Sequence, residues 1–190
     1  ILKGKINTIE FKNSIGIKEL YGEPNFSLTE RIATRPTLDV NGIYGGYTGE
    51  GSKTVLPSEA HAKISMRLVP KQDWKEISDL FKQYVLNFIP KSVTAKIKTH
   101  HGAEPYVTPT TSIAYEAAIL AYKKSFGVNP FQQRGGGSIP IVPIFEKELG
   151  VKSILMGFGL DSDAIHSPNE HFGLFNFFKG IETIIYFYEF

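Results

Sequence analysis

The sequence predicts a mixed chain in which an incomplete α+β sandwich is followed by a half with α/β layering. The first half shows strand, strand, helix and strand patterns in that order, which make up three quarters of a small sandwich. The second half alternates helical stripes with one short apolar run that is typical of a buried strand. The strand and helix that would complete the sandwich are expected upstream of residue 1.

Three parts are predicted along the chain. Residues 1–35 contain recurring Gly, Asn, Pro and Ser without a sustained period, so they are interpreted as a connecting arm with one short helical turn at 14–20. Residues 36–104 carry the sandwich elements. Residues 105–190 form the second half.

Three segments have the alternation that is typical of strands. Residues 38–47 alternate until a glycine pair breaks the pattern, and residues 92–99 alternate through small and β-branched side chains. The clearest case runs from Ala60 to Val69, and one of its faces is predicted to be buried. That face consists of Ala60, Ala62, Ile64, Met66 and Leu68.

Four helices are predicted, the first two of them from apolar stripes with three- and four-residue spacing. Asp73 is placed to cap the first of them, and Pro140 falls in the first turn of the third, where proline is tolerated. Between the last two helices, the run Ser153–Phe158 predicts a short buried strand. The predicted helical spans are 73–88, 112–126, 139–149 and 172–188.

Composition excludes several classes of function. The 190 residues carry a net charge of +2, so no strong field attracts nucleic acid or an anionic membrane. No apolar run approaches the roughly 20 residues that cross a bilayer. The absence of cysteine excludes disulfides, thiolate metal sites and a cysteine nucleophile, and it fits a cytoplasmic, reducing location.

His166 is the first candidate for chemistry. It lies in a loop, residues 159–170, that follows the predicted buried strand and precedes a helix. Sites gather at such strand ends in α/β layers, and a neutral imidazole there can bind Zn²⁺ with nearby carboxylates as supporting partners. A lone loop histidine is also typical of a surface or capping residue, so spacing alone leaves both interpretations open.

Two further features suggest anion binding. The segment Arg134–Ser138 is glycine-rich and precedes a helix, so its backbone N–H groups can surround an anion, although a plain flexible turn has the same composition. Arg67 can grip a carboxylate with two hydrogen bonds or serve as a surface cation. Thr54 lies near the start of the second strand, where a turn or edge residue is the ordinary interpretation. Ser138 has no obvious base, so no hydrolase triad is indicated.

Five motifs in one order resemble the M20 metallopeptidases, in particular their carnosinase-like dipeptidase branch. The resemblance extends over roughly residues 17–190. The motifs are Arg35-Pro36-Thr37-Leu38-Asp39-Val40-Asn41-Gly42-Ile43, Gly51-Ser52-Lys53-Thr54-Val55-Leu56-Pro57, Ile64-Ser65-Met66-Arg67-Leu68-Val69-Pro70, Gly136-Gly137-Ser138-Ile139-Pro140 and His166-Ser167-Pro168-Asn169-Glu170.

The resemblance implies an enzyme with a two-metal α/β catalytic domain and an inserted lid that mediates homodimerisation. This chain would then hold an incomplete ferredoxin-like α+β lid and the C-terminal part of the zinc-peptidase domain. It implies that His166 is a metal ligand for zinc, with cobalt or manganese as alternatives. It also implies that Thr54 and Arg67 bind the substrate from the lid, with Arg67 on its C-terminal carboxylate, and that Gly137 and Ser138 bind its backbone or carboxylate.

The remaining parts of the family's site are expected upstream of residue 1. They are a His-x-Asp motif, a Glu-Glu pair that includes the general base, another acidic ligand and a lid histidine that reaches across the dimer. One position departs from the family pattern, because Gly135 stands where an acidic residue is usual. The resemblance implies hydrolysis of dipeptides or small peptides, with this chain inactive alone. The alternative is a non-catalytic binding or dimerisation protein.

Overall fold

The computed structural model describes residues 6–135 and 139–190 and confirms a mixed α/β fold. Two compact units are present. The sheet unit runs to Tyr106 and takes in the described residues of 133–140, and the helical unit consists of 107–132 and 141–190. The elements are α1 (Thr8–Ser14), α2 (Leu28–Ala33), β1 (Thr37–Gly45), β2 (Ala60–Arg67), α3 (Trp74–Phe88), α4 (Ile113–Phe126), α5 (Ile141–Leu149), a 3₁₀ turn (Asp161–Asp163) and α6 (Leu174–Glu189).

The sheet unit is built on one antiparallel pair, β1 and β2. Thr37 lies opposite Arg67 at one end, and Gly45 lies opposite Ala60 at the other. The register shifts at Asn41, which has no partner of its own on β2. Such a bulge adds twist to the pair. The alternation of the sequence therefore predicts both strands, with β2 ending two residues before the expected Val69.

The predicted burial of one face of β2 is wrong for most of the strand. Ala60, Ala62 and Ile64 are exposed, and only Met66 and the following Leu68 are half-buried. No helix in the described part of the chain packs extensively on this pair of strands. The alternation of apolar and polar residues correctly separates the two faces of β2. Whether a face is buried depends on other elements that pack on it.

The strand predicted at 92–99 is also wrong, since this segment is irregular. The side chains still alternate in burial, because Ala95 and Ile97 are half-buried and Lys96 between them is exposed. The hydroxyl oxygens of Thr99 and Ser78 lie 2.9 Å apart, which ties the segment to α3. A strand needs a neighbour to accept and donate ladder hydrogen bonds, and the described residues place none beside this segment.

Two short helices lie in the arm that was predicted to be irregular, and the turn expected at 14–20 is wrong. α1 begins after Asn7, whose side chain accepts two backbone hydrogen bonds. α2 begins after Ser27, where a capping box forms: Ser27 accepts from the Glu30 backbone N–H, and the Glu30 carboxylate accepts from Ser27 N–H. Both helices are stabilised by caps rather than by a long apolar stripe.

A bidentate ion pair holds the chain that leads into β1. Arg35 Nε and Nη2 each lie 2.7 Å from a carboxylate oxygen of Glu23. The guanidinium carbon also lies 4.2 Å from the centre of the Phe26 ring. The hydrogen bond from Arg35 lowers the pKa of Glu23 below its ordinary value of 4.5.

We expect this pair to make the stability of the sheet unit depend on pH. The folded-state pKa of Glu23 is lowered, so the contribution of the pair is complete above the unfolded pKa of 4.5 and is lost as pH falls through the lower folded value. Glu23→Gln should therefore reduce the loss of stability between neutral pH and about pH 3. Urea unfolding as a function of pH measures this effect.

The matched control is Glu19→Gln, at an exposed acid that has no ion pair among the described residues. It should leave the pH dependence as in the unmodified protein. Equal slopes for the two variants would contradict a role for the Glu23–Arg35 pair.

The predicted helices are confirmed within two residues at each end. The Asp73 carboxylate accepts hydrogen bonds from the N–H groups of Lys75 and Glu76 and so begins α3. Ser112 begins α4, which ends at Gly127 with φ +74°, a left-handed conformation that glycine adopts without strain. Polar N-caps and a glycine C-terminus are local signals, which explains why the sequence located these ends.

α5 and α6 each begin two residues later than predicted. In α5, Pro143 occupies the third helical position. The N–H groups of the first turn have no partner within the helix, so proline is accommodated there. α6 begins at Leu174 after Gly173.

Small side chains line the contact between α4 and α6. Ala121 and Thr183 are fully buried. The hydroxyl oxygens of Ser125 and Thr183 lie 2.5 Å apart, and Thr183 donates to the carbonyl of Lys179 at 2.6 Å. The Thr183 proton is used in that bond, and the Ser125 hydroxyl can donate to Thr183 or to the Tyr122 carbonyl at 3.4 Å. Both buried hydroxyls are thereby satisfied.

The strand predicted at 153–158 is wrong, and this segment packs in the helical unit without regular secondary structure. The Tyr122 hydroxyl donates to the carbonyl of Gly157 at 2.9 Å, and the rings of Tyr122 and Phe158 lie 5.3 Å apart. Burial raises the pKa of Tyr122. A Cβ at Gly180 would lie 3.2 Å from the Phe158 ring, so glycine permits this close approach to α6.

Within the described residues, none of the helices combines the length and the apolar character that crossing a bilayer requires.

Candidate functional site

His166 lies in a loop that is closed by its own hydrogen bonds. The loop follows Gly159, turns through the 3₁₀ segment and reaches His171 before α6 begins. The His171 N–H donates to the Asp163 carbonyl at 3.0 Å, and the Ser167 N–H donates to the Ala164 carbonyl at 2.8 Å. This segment is called the His166 loop below, and it comprises residues 160–171.

The backbone of the His166 loop is strained at three positions. Ala164, His166 and Asn169 have φ values of +53°, +62° and +64°. Side chains with a Cβ rarely adopt this left-handed region, and each such residue is held there by the structure around it. Strain of this kind gathers at functional sites, so the backbone supports the choice of this loop as a site.

The imidazole of His166 is available to a ligand. The residue is exposed, and its ring has no hydrogen bond or ion pair with any residue that the structure describes. His61 differs, because its ring stacks on Tyr44 at 4.6 Å and its Nε2 lies 3.3 Å from Glu59. His166 is therefore the better placed of these two histidines to bind a metal ion.

A metal site needs more than His166. Structural and catalytic zinc sites use three or four protein ligands. In ranges 6–135 and 139–190, no three His, Cys, Asp or Glu side chains are grouped so as to hold an ion. The described residues thus form no complete metal site by themselves, and a metal ion bound by His166 would need further ligands from elsewhere.

The sequence did not single out Asp163. It is 3% exposed, whereas Ser162 before it is exposed and Ala164 after it is half-buried. One carboxylate oxygen accepts from the Leu160 N–H at 2.8 Å, and the other lies 3.9 Å from His171 Nε2. The only sequence signal was its position three residues before His166.

The two lid candidates are exposed residues of the sheet unit. Arg67 is the last residue of β2, and its guanidinium has no ion pair or hydrogen bond with a described residue. Thr54 lies in the connection between β1 and β2, which forms an open groove of about 490 Å³. Lys53 and Val55, on either side of Thr54, line that groove. Both candidates remain predictions with side chains open to a ligand.

The glycine-rich segment is only partly described. Gly137 and Ser138 lie outside the described residues, while Arg134 and Gly135 are exposed and irregular. Arg134 and Gly135 group with the sheet unit, as do Arg67 and Thr54, whereas His166 belongs to the helical unit. The implied role of these groups in binding one substrate, with His166 as a metal ligand, stays a prediction.

Comparison with known proteins adds independent evidence. Residues 9–93 match the family model of the M20 peptidase dimerisation domain. The chain is 35% identical over 152 residues to a Cys-Gly metallodipeptidase of Candida albicans, which covers 78% of this chain and 31% of that protein. It is 28% identical over 188 residues to the Beta-Ala-His dipeptidase of Homo sapiens, covering 94% and 36% respectively. The chain thus spans about a third of the length of these curated relatives.

Solved structures give the same result. An M20 family metallo-carboxypeptidase from Sulfolobus solfataricus aligns with a TM-score of 0.82 at 30% identity, over 96% of this chain and 42% of that chain. Human carnosine dipeptidase 1 aligns with a TM-score of 0.80 at 25% identity, over 96% of this chain and 39% of that chain.

Proposed function

Because the chain belongs to the M20 metallopeptidase family, we propose that it forms part of a metal-dependent enzyme that hydrolyses dipeptides or small peptides. One structural observation carries the proposal: His166 presents a free, exposed imidazole from a strained, closed loop. The similarity to metallodipeptidases over most of this chain supports the same reaction class.

In this proposal His166 binds one of two divalent metal ions. Zinc fits an imidazole ligand, and cobalt or manganese fits as an alternative. When bound, the ions polarise the scissile carbonyl and lower the pKa of a water molecule. The general base and the remaining ligands come from residues outside this sequence, since the described residues group no three candidate ligands.

In this proposal four residues hold the substrate, two of them, Arg67 and Thr54, in the sheet unit. Arg67 binds the C-terminal carboxylate with paired, charge-assisted hydrogen bonds, for which its free guanidinium is suited. Thr54 donates or accepts one hydrogen bond from the edge of the groove. Gly137 and Ser138 bind the substrate's backbone or carboxylate. Closure of the lid would bring Arg67 and Thr54 onto the substrate and exclude water.

The whole protein would act as a homodimer in the cytoplasm. Residues 9–93 match a dimerisation domain, which supports self-association through the sheet unit. Dipeptides are the proposed partners, and the net charge of +2 offers no basis for binding nucleic acid or membrane.

The proposal predicts different behaviour for the whole protein and for this chain. The full-length protein should contain stoichiometric zinc, cobalt or manganese by elemental analysis and should hydrolyse dipeptides. The 190-residue chain should not, because one histidine cannot complete a catalytic metal site.

The competing function is a non-catalytic binding or dimerisation protein, which the glycine at position 135 favours. A full-length protein that dimerises but holds no metal and cleaves no dipeptide would support that alternative. Dipeptide hydrolysis by the isolated chain would contradict the assignment of His166 as one ligand of a larger site.

A further inference from the structure

We propose that Asp163 is a positioning residue that holds His166 in the geometry that a metal ion requires. The inference rests on the proposed function, in which His166 is a ligand. It assigns to Asp163 no contact with metal or substrate. Its action is on the shape of the His166 loop.

Asp163 differs from Asp161, a second aspartate of the same loop, in its degree of burial. Asp163 is 3% exposed, whereas Asp161, two residues earlier in the same 3₁₀ turn, is exposed. A carboxylate is rarely buried unless its oxygens are satisfied. Here the oxygens face the chain on both sides of His166, so the burial has a specific geometric result.

Asp163 joins the two ends of the His166 loop. Its Oδ2 accepts from the Leu160 N–H at 2.8 Å, which fixes the start of the loop. Its backbone carbonyl accepts from the His171 N–H at 3.0 Å, and its Oδ1 lies 3.9 Å from His171 Nε2, which fixes the end. One buried residue thus contacts both ends of the segment that carries His166.

The closed loop explains the strained backbone at its centre. Ala164, His166 and Asn169 all lie between Asp163 and His171, and all three have positive φ. Without the closing contacts Ala164 would relax toward the ordinary negative φ region, and His166, which tolerates the left-handed form better than alanine does, would no longer be held in it. The imidazole of His166 would then move away from the direction that it has here.

The test uses the full-length protein with three substitutions. Asp163→Ala removes the acceptor for Leu160 N–H and the charge beside His171. Asp163→Asn keeps an oxygen acceptor and is the conservative rescue. Asp161→Asn is the matched control, since it changes the same residue type in the same turn at an exposed position.

Two readouts are needed. The backbone ¹³Cα chemical shift of His166 in the metal-free, histidine-labelled protein reports its φ angle, which a general loss of stability would not move. Zinc affinity, measured by competition with a chelator, reports the consequence for the ligand. We expect Asp163→Ala to shift the His166 signal toward its irregular-chain value and to weaken zinc binding about tenfold.

The two asparagine variants should stay close to the unmodified protein in both readouts. If Asp163→Ala does not fold, Asp163→Ser takes its place, because its shorter side chain does not span the distance to Leu160. An unchanged His166 signal and unchanged zinc affinity in the alanine or serine variant would overturn the proposal. If the unmodified protein binds no metal, the proposed function fails, while the His166 signal still decides whether Asp163 positions the loop.

Discussion

Arg67→Ala in the full-length protein is expected to lower kcat/KM for dipeptides about 100-fold. The guanidinium is exposed and without a partner among the described residues, so it can give both of its parallel N–H groups to a carboxylate. Hydrogen bonds to charged groups contribute about 1.5–3 kcal/mol each, and about 3 kcal/mol corresponds to this loss. Steady-state kinetics on a series of dipeptides measures it.

An amidated dipeptide sharpens the Arg67 test. If Arg67 binds the C-terminal carboxylate, the unmodified enzyme should cleave the amide poorly, and Arg67→Ala should change that rate little, since the two changes remove the same interaction. Lys98→Ala is the control, at an exposed cation of the same unit. Equal losses from Arg67→Ala on free and amidated dipeptides would contradict the carboxylate assignment.

Ala121→Leu is expected to destabilise the helical unit by about 1–3 kcal/mol, which is the usual cost of overpacking. Ala121 is fully buried on α4, where small residues allow α6 to approach. The added carbons have no space unless the helices separate, and separation would break the Ser125–Thr183 hydrogen bond. Urea unfolding followed by circular dichroism measures the change.

The matched control for Ala121→Leu is Lys123→Leu, which places the same side chain at an exposed position of α4 two residues later. It should change the free energy of unfolding by less than about 0.5 kcal/mol. A similar loss in both variants would mean that leucine disturbs α4 itself, and the packing argument would then be wrong.

Local signals explain the part of the fold that the sequence predicts. Asp73, Ser112 and Gly127 act on neighbouring backbone groups, so the ends of α3 and α4 can be found without knowledge of the rest of the chain. α2 had a comparable signal that was not used: Ser27 and Glu30 have the spacing of a capping box. α1 has only seven residues and no buried side chain, so its sequence carries little periodic pattern.

The predicted strands at 92–99 and 153–158 show where local pattern stops being sufficient. Their apolar residues are suited to a sheet, but a strand is defined by its hydrogen-bonded neighbour, and that neighbour is distant in sequence. The predictions of β1 and β2 were correct because each strand supplies the hydrogen-bonding partner of the other. The prediction that one face of β2 is buried was wrong for a related reason. Burial depends on other elements that cover the strand, and the sequence of the strand does not reveal them.

The residues of the candidate site also fall into those that the sequence located and one that it did not. Motif resemblance located His166, Arg67 and Thr54, and the structure shows all three exposed. It could not locate Asp163, because the importance of that residue comes from its burial and from contacts to Leu160 and His171 that depend on the folded loop. Carboxylates near His166 were expected only as a group.

The hydrogen bond between Ser125 of α4 and Thr183 of α6 favours one register of the two helices along their axes. Sliding α6 by one turn would break the hydrogen bond between Ser125 and Thr183, at a cost of about 0.5–1.5 kcal/mol, although each hydroxyl keeps a carbonyl partner within its own helix. The alignment of the helices is thus set by their own surfaces, whatever the length of the chain between them. Extra residues spliced in at the exposed Gly150 should therefore leave the two helices in phase.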